Sequence, residues 1–217
     1  MKSRLGIFGG MFDPVHKGHI QAARFALETL DLDAVKMIPC NVPNHKDSLS
    51  ASAMHRLEML ELALRDEPLI TPDDCEIRRG GISFASDTVS AFAEAGSWQH
   101  LIFVMGMDAF NGLPGWHDWQ GFLEFCHILV LGRSGQRVDE LVAVELGLAR
   151  RQVTEPHELF EQSVGKVHLA RLFDMELSST QVRSLLCEDG GVSGLLNPSV
   201  INYIEEHSLY GRKPSVQ

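Results

Sequence analysis

The sequence runs to 217 residues, 44% hydrophobic and 22% charged, with a net charge of −10, which suits one domain with a substantial core. That negative balance argues against a general nucleic-acid or anionic-membrane binder, because such partners require a basic field. A phosphate site here must rest on a few well-placed basic residues. No run approaches the ~20 apolar residues of a transmembrane helix, and the N-terminal MKSRLGIFGGMF has too short an apolar part for a signal peptide. Cys40, Cys75, Cys126 and Cys187 lie far apart, without CxxC or zinc-finger spacing. They read as reduced structural thiols of a soluble, cytoplasmic protein. His157-Glu158 is followed by Glu161 where a zinc-binding HExxH would need histidine, and no metal ligand set is expected.

Short apolar runs alternate with segments of helical period, the pattern of a parallel sheet covered by helices. In chain order, strands are expected at Leu5–Phe8, Val35–Ile38, Leu101–Met105, Ile128–Leu131 and Val167–Leu169. A first helix is expected over Gly18–Leu30, with Ile20, Ala23, Leu27 and Leu30 on one side. A second is expected over Ala51–Arg65, with Leu57, Leu60 and Leu64 in phase. Further helices are expected at Asp87–Ala95, Asp139–Arg150 and Ser179–Cys187. The last should run from Pro198 to about His207, with Asn197 as its N-cap and Pro198 at its first position. The fold class is α/β: a Rossmann-like open parallel sheet with helices on both faces. Residues 1–217 read as a single domain, with 170–217 as its C-terminal helical part.

A polar, glycine-containing or basic segment follows each strand: Gly9-Gly10-Met11-Phe12-Asp13-Pro14-Val15-His16-Lys17-Gly18-His19, then Asn41–Lys46, Gly106-Met107-Asp108, Gly132–Gly135 and Ser178–Arg183. Ligands of open parallel sheets bind outside the carboxyl ends of the strands, so five such loops on one edge imply an anionic ligand. Gly9 and Gly10 let backbone amides approach it closely. The helix opening near Gly18 turns its free N–H groups and positive dipole end toward a phosphate. His16 and His19, three residues apart, set two imidazoles beside the same anion.

GGMFDPVHKGH resembles the GGTFDPxHxGH signature of nucleotidyltransferases that share a His-x-x-His site with class I aminoacyl-tRNA synthetases. SSTQVR resembles their second signature, ISSTxxR. NVPNHK, FVMGMDAFNGLPGWHDW, LVLGRSG and LNPSVINYIEEHSLYG are similar, in order, to segments of the bacterial nicotinate mononucleotide adenylyltransferases, with LPGWHDW the family-specific part. The resemblance covers essentially the whole chain. It implies transfer of an adenylyl group from ATP to nicotinate mononucleotide, giving deamido-NAD and pyrophosphate.

By that resemblance His16, His19 and Arg183 are the catalytic residues. ATP contacts are expected from Gly9, Gly10, Phe12, Gly18, Gly106, Asp108, Ser178, Ser179 and Thr180, with Asp108 on a ribose hydroxyl. The mononucleotide is expected against Lys46, Phe84, Ala85, Trp116 and Arg133, with Trp116 stacking on the pyridine and Trp119 in the core. Mg2+ is expected to enter with ATP. Asp13, before Pro14, reads as fixing an extended turn. Met11 replaces the family's Thr, Asn44 its second Pro, and Ser83-Phe84-Ala85 its Ser-Tyr-Thr. The nearest alternatives are a phosphopantetheine adenylyltransferase, a dual nicotinate/nicotinamide enzyme, and a non-catalytic nucleotide sensor. Homo-oligomerisation stays open.

Overall fold

The computed structural model describes residues 3–44, 50–132, 135–170, 173, 177–188 and 190–211. Seven strands pair in parallel: β1 (Arg4–Gly10), β2 (Ala34–Pro39), β3 (Ile70–Pro72), β4 (His100–Gly106), β5 (His127–Leu131), β6 (Gln152–Val153) and β7 (Val167–Ala170). Their order across the sheet is β3-β2-β1-β4-β5-β7-β6. The chain builds outward from β1 through β2, then returns beside β1 with β4 and builds the other way. The strand order therefore reverses between β1 and β4, where open sheets of this kind carry their ligands.

Ten α-helices lie among the described residues: α1 (Lys17–Thr29), α2 (Ala53–Leu64), α3 (Cys75–Arg79), α4 (Ala85–Glu94), α5 (Met107–Asn111), α6 (Trp119–Phe122), α7 (Glu140–Glu145), α8 (Leu148–Arg151), α9 (Ser179–Cys187) and α10 (Pro198–Glu206). The central strands are apolar on both faces, so each face takes its own helix layer. Ile102 and Val104 of β4 and Leu129 of β5 join the core of α1, α2, α9 and α10. Their neighbours Phe103, Met105, Ile128 and Val130 join the opposite core, with Val89 of α4, Phe110 of α5 and Phe122 of α6. A fully buried side chain of this kind contributes about 1.5–3 kcal/mol, so both layers are held firmly to the sheet.

All five expected strands are present, and β3 and β6 are additional. Each is an edge strand of two or three residues, too short for an alternation signal, and β3 ends in Pro72, which an edge strand tolerates. The helix expected over Asp139–Arg150 is two helices, because Gly147 takes a φ of 60° and ends the first of them. α4 begins two residues earlier than expected, with Phe84 as its N-cap. Asn197 caps α10 through its side chain, as expected.

Arg56 on α2 ties the sheet edge together. It is fully buried and donates to the carbonyls of Met11 at 2.8 Å, Cys40 at 2.6 Å and Asn41 at 3.1 Å. The segments leaving β1 and β2 are thereby fixed to one rigid guanidinium fork.

A second buried polar pair lies at the opposite end of the sheet. The Lys166 amide donates to His127 Nδ1 at 3.3 Å, which leaves the His127 proton on Nε2, 3.4 Å from His100 Nδ1. Burial, then the neighbouring His100, pushes the His127 pKa down to about 4. The unfolded chain takes up this proton near pH 6.5, whereas the folded one resists it until about pH 4. Stability from this group is thus intact above pH 6.5 and lost as pH falls toward 4. Urea unfolding at pH 7.5 and pH 5 should show a loss of about 2 kcal/mol from His127, and His127→Gln should shrink the difference between the two pH values. An unchanged difference in that variant would rule this source out.

Candidate active site

β1 runs through Gly10, and the chain then turns through Met11 and Phe12 before α1 starts. Phe12 adopts a φ of 48° and the Asp13–Pro14 peptide is cis. The Phe12 ring is buried and meets His19 edge-on at 5.0 Å and Phe8 at 5.8 Å. A Cβ on Gly10 would come within 3.1 Å of that ring. A side chain at Gly10 would therefore press on that ring, so glycine eases the packing inside the turn besides any approach of a ligand. The Phe12 side chain packs in the core, so the ligand contact expected at Phe12 would fall to its backbone.

His16 is the N-cap of α1, and its ring stacks on that of His19 with centroids 3.7 Å apart and planes 23° from parallel. The His16 backbone N–H donates to His19 Nδ1 at 3.3 Å. With Nδ1 accepting, the neutral His19 ring carries its proton on Nε2. Burial, then the adjacent His16, holds the His19 pKa well below the ordinary value. At neutral pH His19 is thus an uncharged N–H donor of fixed tautomer. Not every amide at the helix start is available: Lys17 N–H donates to Leu195 O at 2.9 Å. Gly18 follows it in the buried first turn.

The distant SSTQVR segment closes on the same turn. Arg183 donates from Nη1 to Asp13 O at 2.7 Å and from Nη2 to Thr180 Oγ1 at 3.2 Å. Ser179 Oγ donates to Pro14 O at 3.1 Å. Ser178 caps α9 through the Gln181 amide, and its hydroxyl reaches Gln181 Oε1 at 3.0 Å. The hydroxyls of Ser178 and Ser179 thus already have protein partners, while Thr180 stays exposed beside Arg183. The two signatures, more than 160 residues apart, form one surface.

A cleft of about 230 Å³ opens between the ends of β1 and β4, lined by Gly9, Gly10, Phe84, Ala85, Gly106 and Trp116 among others. Trp116 is held edge-on by Phe103 and Phe122, each with centroids 6.0 Å away. Trp119 packs against the core, as expected. Asp108, in the first turn of α5, is exposed and accepts from Gln136 at 3.1 Å. Lys46 and Arg133 lie outside the described residues. The structure therefore brings His16, His19 and Arg183 onto one turn, with Phe84, Ala85 and Trp116 around the adjoining cleft.

Three residues hold this arrangement: Asp13, which the sequence marks only as a turn residue, and Tyr210 and Glu76, which sequence reasoning passed over. Asp13 is buried and accepts from the amides of Ser50 at 2.7 Å and Ala51 at 3.2 Å, and from Tyr210 Oη at 2.6 Å. Burial, then the Asp13 carboxylate, pushes the Tyr210 pKa up, so the hydroxyl remains a donor. Glu76 is buried at the cleft, accepting from Thr88 Oγ1 at 2.7 Å. Burial raises its pKa against the opposing pull of the Thr88 and Ser83 hydroxyls. The sequence did carry one signal: Tyr210 is one of only two tyrosines and closes an apolar C-terminal segment.

A His-x-x-His helix start at the switch point of a parallel sheet, joined by a remote arginine, defines an α/β nucleotidyltransferase. Residues 7–185 match the family model described as cytidylyltransferase-like. Relatives named "Probable nicotinate-nucleotide adenylyltransferase" in Hahella chejuensis and Pseudomonas paraeruginosa are each 38% identical over 211 residues. They cover 96% and 97% of this chain and 96% and 98% of their own lengths. The structure of Plasmodium falciparum nicotinic acid mononucleotide adenylyltransferase complexed with NaAD superposes with a TM-score of 0.75 at 17% identity. It covers 96% of this chain and 98% of its own, a likeness of fold. The chain belongs to the cytidylyltransferase-like family and, within it, to the nicotinate-nucleotide adenylyltransferases.

Tyr210→Phe removes one buried hydrogen bond to a carboxylate without changing the ring. It should lower stability by about 1.5–3 kcal/mol in urea unfolding. A loss under roughly half a kcal/mol would show that the amides of Ser50 and Ala51 alone hold Asp13.

Proposed function

We propose that the chain transfers the adenylyl group of ATP to the phosphate of nicotinate mononucleotide, releasing pyrophosphate. The observation that carries this reading is the closure of Arg183 onto the Asp13–Pro14 turn that also positions His16 and His19, beside an aromatic cleft. A phosphate oxygen of the mononucleotide forms a bond to the α-phosphorus of ATP, and the bond from that phosphorus to the bridging oxygen breaks with pyrophosphate as leaving group.

The mononucleotide phosphate, with a second pKa near 6, is already largely dianionic at neutral pH and needs no general base. What the reaction requires is approach of two anions and stabilisation of charge on the phosphoryl oxygens. In this reading His19 offers its fixed Nε2–H to the α- and β-phosphates together with His16. Arg183, anchored by one nitrogen on Asp13 O, turns its remaining donors toward the departing pyrophosphate. A neutral, buried His19 suits this role, because it donates its Nε2–H without carrying a charge that titrates near neutral pH. Gly9, Gly10, Gly106 and Asp108 would hold the nucleoside, and Phe84, Ala85 and Trp116 the pyridine ring. Lys46 and Arg133 are assigned to the mononucleotide by sequence alone.

Mg2+ belongs to the substrate here, carried on the triphosphate. The described residues hold no group of three or more histidines, cysteines or carboxylates able to bind a metal. All four cysteines are free thiols, and no helix among the described residues is long and apolar enough to cross a membrane. We place the reaction in the cytoplasm, where ATP is at hand.

The purified chain, given ATP, Mg2+ and a panel of acceptors, should release pyrophosphate with nicotinate mononucleotide and not with phosphopantetheine. Release with phosphopantetheine alone would overturn the reading. His19→Ala should lower kcat by about two orders of magnitude, as for loss of one preorganised donor, with ATP binding weakened far less. A drop of under about tenfold would remove His19 from the mechanism. Arg183→Ala should damage the forward reaction and pyrophosphorolysis alike, and Arg183→Lys should restore little, because a point charge cannot keep the Asp13 contact and serve pyrophosphate together. Wild-type pyrophosphorolysis in the alanine variant would refute that role.

A further inference from the structure

The helix layer that carries α6 and α7 has an outer face that the proposed reaction does not use. α7 packs Val142 and Ala143 against the core and leads into the buried Leu146, yet none of its own residues is fully buried. Leu141 and Val144, three residues apart and so on one side of the helix, are 81% and 80% exposed. No other large apolar side chain among the described residues is as exposed as these two. Single exposed apolar residues are ordinary, but a pair of them beside an apolar hollow marks a contact surface.

Such a hollow adjoins them. A groove of about 680 Å³ opens near the amino ends of β5, β6 and β7, between α6, the turn from α7 to α8 and the 162–166 segment. Leu123, Leu146 and Val164 give it apolar lining, and Arg150, Arg151 and Lys166 give it cations. Arg151 donates from Nε to Leu146 O at 3.0 Å and from Nη1 to Gly165 O at 3.1 Å. Lys166 Nζ donates to Arg150 O at 3.0 Å. These bonds fix the rim before anything docks, which reduces the ordering cost of a contact. Apart from α7, Glu124 is the one acid that lines the groove, whereas α7 carries Glu140 and Glu145. The ion pairs among the described residues use Arg4, Arg24, Lys36 and Arg78 as their cations. Neither the acids of α7 nor the cations of the groove take part in them.

We infer that this face joins two copies of the chain about a two-fold axis, Leu141 of each copy entering the groove of the other. A two-fold contact must be self-complementary, because the same patch serves both partners. This face meets that condition: an apolar ridge flanked by acids lies beside an apolar groove rimmed by cations. Glu140 and Glu145 of one copy then face Arg150 and Lys166 of the other, and such charges fix register more than they add affinity. Net charge also favours this face. Two copies that each carry −10 repel one another at a distance, so a self-contact needs cations gathered where the copies meet. None of these residues is assigned to the reaction, and the inference does not rest on it.

Sedimentation velocity of the full chain tests this. One short helix and one groove make a small interface, so the wild type should pass from monomer to dimer over roughly 1–100 µM. Leu141→Glu, a change at an exposed position, should raise the dimer Kd about tenfold or more, as for loss of a central apolar anchor. Two charge variants supply the sharper measurement. Glu140→Lys with Glu145→Lys makes the ridge basic, and Arg150→Glu makes the groove acidic, so each variant alone should dimerise more weakly than the wild type. An equimolar mixture of the two should dimerise more tightly than either alone, because basic ridge then meets acidic groove and native ridge meets native groove. Wild-type circular dichroism in every variant would separate loss of contact from loss of fold. A wild type that stays monomeric throughout would overturn the inference and leave this face to a partner other than a second copy. A dimer that Leu141→Glu leaves as tight as before would overturn it too, as would a mixture no tighter than its components.

Discussion

The carboxylate of Asp13 is the point on which the site depends. A buried carboxylate deprived of hydrogen bonds is costly, so its surroundings must supply donors. They come from three distant parts of the chain: two amides ahead of α2, the Tyr210 hydroxyl after α10, and, on the carbonyl of the same residue, the guanidinium of Arg183. Two cations, Arg56 and Arg183, act on the same neighbourhood. One small acid thus fixes how the turn after β1, the start of α2, the C-terminal segment and the arginine of α9 meet. The histidines gain their precision indirectly, as residues of a turn that cannot shift without breaking these bonds.

The layered α/β fold was legible because its central strands are apolar on both faces and its helices amphipathic, patterns that leave marks at distinct periods. The edge strands β3 and β6 left none, being shorter than one full alternation. The break at Gly147 was visible as a glycine inside a helical stretch, yet propensity alone does not tell a tolerated glycine from a left-handed cap. In the site, His16, His19, Arg183 and Trp116 were legible because a motif carries them. Asp13 was read as a local turn residue, since its three donors come from partners 37 to 197 positions away. Arg56 and Glu76 were invisible for a related reason. A polar residue on a helix looks solvated in sequence, and only the packed structure shows that Arg56 faces three carbonyls and Glu76 a hydroxyl.

A chain of net charge −10 that handles polyanions must concentrate its favourable potential. The described turn does so without a basic patch. Its donors are a neutral histidine, a helix start and one arginine already in contact with a backbone carbonyl. Preorganised donors in a desolvated place act more strongly than the same groups in water, and they need no rearrangement when charge develops. The acidic remainder of the surface discourages nonspecific association with larger polyanions such as nucleic acid.

The bond between Tyr210 and Asp13 also carries a consequence for the order of events during synthesis. It spans 197 positions, so at bacterial or eukaryotic elongation speeds the turn after β1 exists for on the order of 10–40 s before its last donor is made. During that interval β1, β2 and α1 can associate and the Ser50 and Ala51 amides can reach Asp13, but the Tyr210 hydroxyl is missing and Arg183 joins only near the end. The hydrogen bonds of the acid beside the site are thus completed only when one of the last described elements of the chain has been made.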